Sequence, residues 1–93
     1  MAVQALQNAK PLVGAERRNR RKVIKGARIV FNSGGSSIAC IVRELSPTGA
    51  TLRVESVVGI PNEFELLFDD RSPPRNCRVV NRRGMLGVVF VAP

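Results

Sequence analysis

The chain has 93 residues, with 15 Lys and Arg against 7 Asp and Glu, so its formal charge is +8. That length makes one small domain. Two Cys and no His exclude a four-ligand Cys/His zinc site and any Ser-His-Asp or Cys-His catalytic centre.

The first fifteen residues, MAVQALQNAKPLVGA, contain helix formers, but Pro11 and Gly14 stop a helix early, and so short a helix is marginal in water. They are expected to form a flexible N-terminal tail. They lack the basic n-region and apolar h-region of a secretory signal, and no run in the chain approaches the roughly 20 apolar residues that span a bilayer. The expectation is a soluble, cytoplasmic protein without membrane insertion.

The charge is concentrated in the first third of the chain. Residues 1–30 carry eight basic groups and one acid, net +7, whereas residues 31–93 are net +1. A block of this kind repels itself and reads as an interaction arm or a solvated stretch.

From residue 23 the dominant period is two. Ala27, Ile29 and Phe31 form one alternating set; Ile38, Cys40 and Val42 a second; Ala50, Leu52 and Val54 a third. Phe64, Leu66 and Phe68 come next, then Cys77 and Val79, and a nearly all-apolar run from Met85 to Val91. Such alternation describes half-buried antiparallel strands. Turn residues separate them: Ser33-Gly34-Gly35-Ser36, Ser46-Pro47-Thr48-Gly49, Gly59-Ile60-Pro61-Asn62, the loop from Asp69 to Pro74, and Arg83-Gly84. Six short strands in about 70 residues are too few for a large sandwich, and closing them into a barrel removes the exposed edges. The predicted fold is all-β, a small six-stranded antiparallel β-barrel over 16–93, with a flexible basic arm ahead of it. The chain stops at Pro93, so no C-terminal helix is expected.

Cys40 and Cys77 share no CxxC spacing and sit in apolar strand runs, where a free thiol acts as a small hydrophobe. Buried, reduced thiols are expected, with a cross-strand disulfide as the alternative. No nucleophile–base pair and no metal set is present. Asp69 and Asp70 read as solvated turn residues rather than a catalytic dyad. The chain is therefore read as a binding protein, with no catalytic residues, no metal and no cofactor.

Two short motifs stand out. Arg17-Arg18-Asn19-Arg20-Arg21 is an RxxxR pattern just before the first strand, and Glu44-Leu45-Ser46-Pro47-Thr48-Gly49 is an acid-x-S-x-x-G pattern between the second and third. On an all-β background, in this order and spacing, they resemble the PilZ domain family, whose signature is RxxxR followed by [D/N]-x-S-x-x-G. The stretch from Arg78-Val79-Val80 to Gly87-Val88-Val89-Phe90 also looks like the end of such a domain, so that the resemblance covers residues 16–91. It implies a β-barrel that binds the second messenger cyclic di-GMP through Arg17, Arg18, Arg21, Glu44, Ser46 and Gly49. It further implies an output to a downstream protein, by a monomer or weak homodimer.

The chemistry of the motif residues is compatible with that ligand. An arginine fork matches the adjacent O6 and N7 acceptors of guanine, and a guanidinium plane stacks on a base. In an extended arm, residues four apart are separated by roughly 13 Å, so Arg17 and Arg21 could reach different parts of one ligand. Arg18 and Arg20 would point the other way, towards phosphates or solvent. Ser46 offers a hydroxyl at a turn that Pro47 stiffens, and Gly49 permits a close backbone approach.

Two residues depart from the family pattern. Glu44 stands where the family has Asp or Asn; it accepts from guanine N–H groups on a longer stem, or else neutralises an arm arginine. Asn81 lies near a position that is aromatic in many members. Two alternatives therefore stay open. One is a degenerate PilZ domain that does not bind the nucleotide and acts as a protein-interaction adaptor. The other is a basic nucleic-acid-binding barrel, which the charge favours and the four phenylalanines oppose, since all lie on core-like faces rather than free for base stacking. The Ser46–Gly49 motif also has a purely structural reading, as a β-turn. The process controlled, whether motility, exopolysaccharide synthesis or virulence, has no signature in the residues.

Overall fold

Apolar residues at every second position share one face of a strand, and the chain buries that face by closing its sheet into a barrel. The structure, a computed structural model, describes residues 20–92. The tail 1–15 lies outside those residues, as do Arg17 and Arg18. The six strands are β1 (Arg21–Phe31), β2 (Ser36–Ser46), β3 (Gly49–Arg53), β4 (Glu63–Phe68), β5 (Arg75–Asn81) and β6 (Leu86–Val91). They close into a barrel in the order β1-β2-β3-β6-β5-β4, with every pair antiparallel. The predicted all-β barrel is therefore the observed fold, and each edge strand has a partner. Among the described residues no helix is long and apolar enough to cross a membrane.

The period-two sets supply the core. Ala27, Ile29, Cys40, Val42, Ala50, Leu52, Phe64, Leu66, Cys77, Leu86 and Val88 are buried. Phe31, Phe68 and Phe90 are partly buried and pack against that cluster, so none of the phenylalanines projects freely into solvent. Ile60 joins the core from outside any strand: it comes from the β3–β4 connection, is 4% exposed, and stoppers one end of the barrel. Both cysteines are free and buried. Removal from water pushes the Cys40 thiol up to about 11, with Asp69 adding to the effect, and the Cys77 thiol up to about 12.

β1 begins earlier than the alternation from Ala27 indicates. Arg21, Lys22 and Lys25 are strand residues, so part of the basic segment is built into the barrel wall.

Local irregularities bend the wall. Between the pairs Lys22↔Glu44 and Lys25↔Val42, β1 uses one residue more than β2. Between Val42↔Leu52 and Glu44↔Thr51, β2 uses one more than β3. A third extra residue, Val80, lies on β5 between Val79↔Val88 and Asn81↔Gly87. Bulges of this kind increase bend and twist, which a six-stranded closure requires. They also carry apolar side chains outward, leaving Ile24 82% and Val80 62% exposed.

Candidate functional site

The bulge at Arg43 decides where the second motif points. In a regular strand Val42 and Glu44 would face the same side. Val42 is fully buried opposite Leu52, whereas Glu44 pairs with Thr51, the outward-facing residue between buried Ala50 and Leu52. The extra residue thus turns Glu44 to the outer surface and leaves the strand in frame on either side.

From Glu44 a single cross-strand row runs round the outside of the barrel. Glu44 pairs with Thr51, Thr51 with Gly87, and Gly87 with Asn81. Gly87 has no side chain, and the row is therefore a trough in its middle. The associated cavity is about 490 Å³, and Arg20, Glu44, Ser46, Gly49, Asn81 and Arg83 are among its lining residues. Gly49 and Thr51 lie beside Gly87, and the exposed side chains of Val80 and Met85 also line the cavity.

Arg20 supplies the first charge. Its Nη1 donates to Oε1 of Glu44 at 3.1 Å, and Thr51 Oγ1 donates to the same oxygen at 3.4 Å. The glutamate side chain is 29% exposed and the arginine 48%, so the pair sits at the solvent margin. Arg83 lines the far side. Its backbone N–H donates to Asn81 Oδ1 at 2.8 Å, which ties Asn81 to the β5–β6 hairpin. Gly84 closes that hairpin with φ 73°, a left-handed conformation natural to glycine.

Ser46 and Gly49 are held by each other. Ser46 Oγ accepts from the N–H of Thr48 at 3.3 Å and of Gly49 at 3.1 Å, an arrangement in which a serine hydroxyl stands in for a turn carbonyl. On the other side the Thr48 carbonyl accepts from the N–H of Phe90 at 2.8 Å. A side chain at Gly49 would run into the Val88 carbonyl oxygen across the β3–β6 pair. The turn is therefore demanded by packing as well as being available to a ligand.

The predicted site residues separate into three groups. Glu44, Ser46 and Gly49 come together in the trough. Arg21 does not join them; it lines a second cavity at the end of the barrel, which Ser46 also borders. Arg17 and Arg18 lie outside the described residues. Arg20, assigned by the sequence only to phosphates or solvent, is the arginine that reaches Glu44. Thr51, Arg83 and Gly87 also belong to the trough, and sequence reasoning does not find them as binding residues. The one signal for them is a glycine inside an apolar strand; the register that aligns it with Glu44 is set by two bulges and has no sequence signature.

Away from the trough, Asp70 organises the β4–β5 loop. Its Oδ1 accepts from the Ser72 hydroxyl at 2.6 Å and N–H at 2.9 Å, and its Oδ2 pairs with Lys25 Nζ at 3.0 Å. These bonds, those from Ser72 foremost, pull its carboxyl down to about 2. Comparisons with protein-family profiles, curated proteins and solved structures each find no match to the chain.

Proposed function

We propose that the protein is a PilZ-type receptor for cyclic di-GMP, working by binding rather than catalysis in the cytoplasm where that messenger acts. The observation that carries this reading is the outer trough, in which Glu44, Ser46 and Gly49 meet an arginine beside the gap left by Gly87. A flat guanine resting above Gly87 would use the gap that its missing side chain leaves, with Val80, Met85 and Val89 around it. The Glu44 carboxylate would accept from a guanine edge, and Arg20 and Arg83, on opposite borders, would take the phosphates and the O6/N7 acceptors. In the free protein Arg20 occupies the carboxylate. Ligand binding would move that guanidinium from Glu44 to the nucleotide, free Glu44 for the base, and draw in Arg17 and Arg18. A change at the base of the basic segment is then available for a downstream protein to read.

The test is isothermal calorimetry of the full chain with cyclic di-GMP, using GMP as a control. Binding is expected, with loss in Arg17→Ala and Arg20→Ala variants that keep the native spectrum. No heat at tens of micromolar ligand would sink the reading.

A second reading is supported by the same ion pair. Glu44 stands where the family has Asp or Asn and is already held by Arg20, and Asn81 is tied to its own hairpin. In this reading the trough is closed to nucleotides, and the domain serves as a protein-interaction adaptor. Glu44→Asn separates the two: gain of an affinity that the native protein lacks favours the adaptor.

A further inference from the structure

The barrel has one stoppered end and one open end. Ile60 fills the end at which β3 finishes. At the opposite end, beside the β2–β3 turn, a cavity of about 480 Å³ opens between the strands. Three half-buried side chains form its apolar wall: Leu45, Phe68 and Phe90, each packed on the core from one side. Its rim is cationic, with Arg21, Lys25 and Arg75, and among the described residues no carboxylate lines it. Only Lys25 of these three has a carboxylate partner among the described residues, Asp70 at 3.0 Å. The Arg75 guanidinium lies over the Phe90 ring, 4.0 Å from its centroid, so it caps one face of that ring and holds its charge at the rim next to Leu45 and Phe68.

We propose that this mouth binds a small amphiphilic organic anion, an apolar body ending in one carboxylate. The body would lie against Phe68 and Leu45, beside the Phe90 ring that Arg75 caps, and the carboxylate would take the fork of Arg75 with Arg21 beside it. The volume falls in the usual range for small-molecule sites, roughly 300–1,000 Å³. The lining selects for both halves of such a ligand. A bare anion would meet only exposed cations, which hold it weakly, and an amphiphile with a cationic head would be repelled at the rim. The site adjoins the outer trough and shares with it one lining residue, Ser46. Arg20 and Arg21 are successive residues serving different cavities, so the mouth does not depend on the nucleotide reading.

The experiment is a ¹⁵N NMR titration of the full chain with dodecanoate below its micellar concentration. Acetate and dodecyltrimethylammonium serve as head-only and reversed-charge controls. Saturable shifts are expected around Leu45, Phe68, Arg75 and Phe90 with dodecanoate, and no saturable shifts there with either control. Arg75→Glu should weaken binding at least tenfold. Arg53→Glu, which makes the same change of net charge on an exposed residue of β3, should not. Equal affinity in the two variants, equal binding of the cationic amphiphile, or shifts centred on Ile24 and Val80 would overturn the proposal. So would an absence of saturable shifts, the result expected if the segment before Arg20 or a second copy of the chain already fills the mouth.

Discussion

Arg20 and Glu44 are 24 positions apart in sequence and 3.1 Å apart in space, the first residue described ahead of β1 being tied to the bulged part of β2. Both side chains keep substantial exposure, so the pair is an electrostatic catch rather than a structural anchor. A double-mutant cycle with Arg20→Ala and Glu44→Ala is expected to give a coupling of about 0.2–1 kcal/mol that shrinks with added salt. A coupling of several kcal/mol would contradict this picture and would mean that the catch is too tight to open for a ligand.

Gly49 and Ser46 should separate packing from recognition. Gly49→Ala forces a methyl group towards the Val88 carbonyl and is expected to destabilise the barrel by about 1–3 kcal/mol. Ser46→Ala removes the acceptor for two backbone N–H groups, at about 1–3 kcal/mol if Gly49 N–H finds no other partner. Urea denaturation of both variants reads these values. A neutral Gly49→Ala would remove the packing reason for the motif.

Ile60 should behave as a core residue although it belongs to no strand. Ile60→Ala is expected to cost about 2–5 kcal/mol, while Val58→Ala, at a side chain 84% exposed and two residues away, should stay within about 0.5 kcal/mol. Comparable effects at the two positions in thermal melts would show that the stopper is not seated.

These positions also show how far the sequence can be read. Alternation locates the inward faces of β1 to β5, because a buried strand side has to be apolar. Ile60, by contrast, lies among Gly, Pro and Asn, where nothing distinguishes a core residue from a turn residue. In the same way Glu44, Ser46 and Gly49 are legible as a motif. Their meeting with Arg20, Thr51 and Gly87 is not, since it depends on extra residues near Ile24, Arg43 and Val80 that change pairing without changing composition. The beginning of β1 is hidden for a related reason. Its first residues are charged, and they are paired through backbone bonds rather than apolar side chains.

The two thiols give a prediction at alkaline pH. Burial raises Cys40 to about 11 and Cys77 to about 12, from an ordinary value of 9.0. For an acid whose folded pKa is raised, the stabilisation is fully present below the unfolded value and is lost as pH rises through the folded one. Stability should therefore fall from about pH 9 upward, and less steeply in Cys77→Ala at matched starting stability. Below that range, iodoacetamide should label the native protein far more slowly than the urea-unfolded chain. Equal labelling rates would mean that the barrel admits the reagent.

Asp70 gives the opposite sign at acid pH. Its carboxyl is lowered from 3.8 to about 2 by bonds from Ser72 and then Lys25. A depressed acid contributes stability above its unfolded value and loses it as pH falls through the folded one. The β4–β5 loop should loosen between about pH 4 and pH 2. Amide exchange at Ser72 is the readout, and Asp70→Ala, which removes the acceptor, should leave that amide unprotected at every pH. Protection of Ser72 in that variant would show that another group orders the loop.

The extra residue at Arg43 bears on how this surface can change over time. Because backbone pairing, and not the identity of residue 44, turns that side chain outward, a substitution there alters the chemistry offered at the trough while leaving its direction and the hydrophobic interior untouched. Asp, Asn or Glu at position 44 would then offer different hydrogen-bonding groups from one place on an unchanged scaffold.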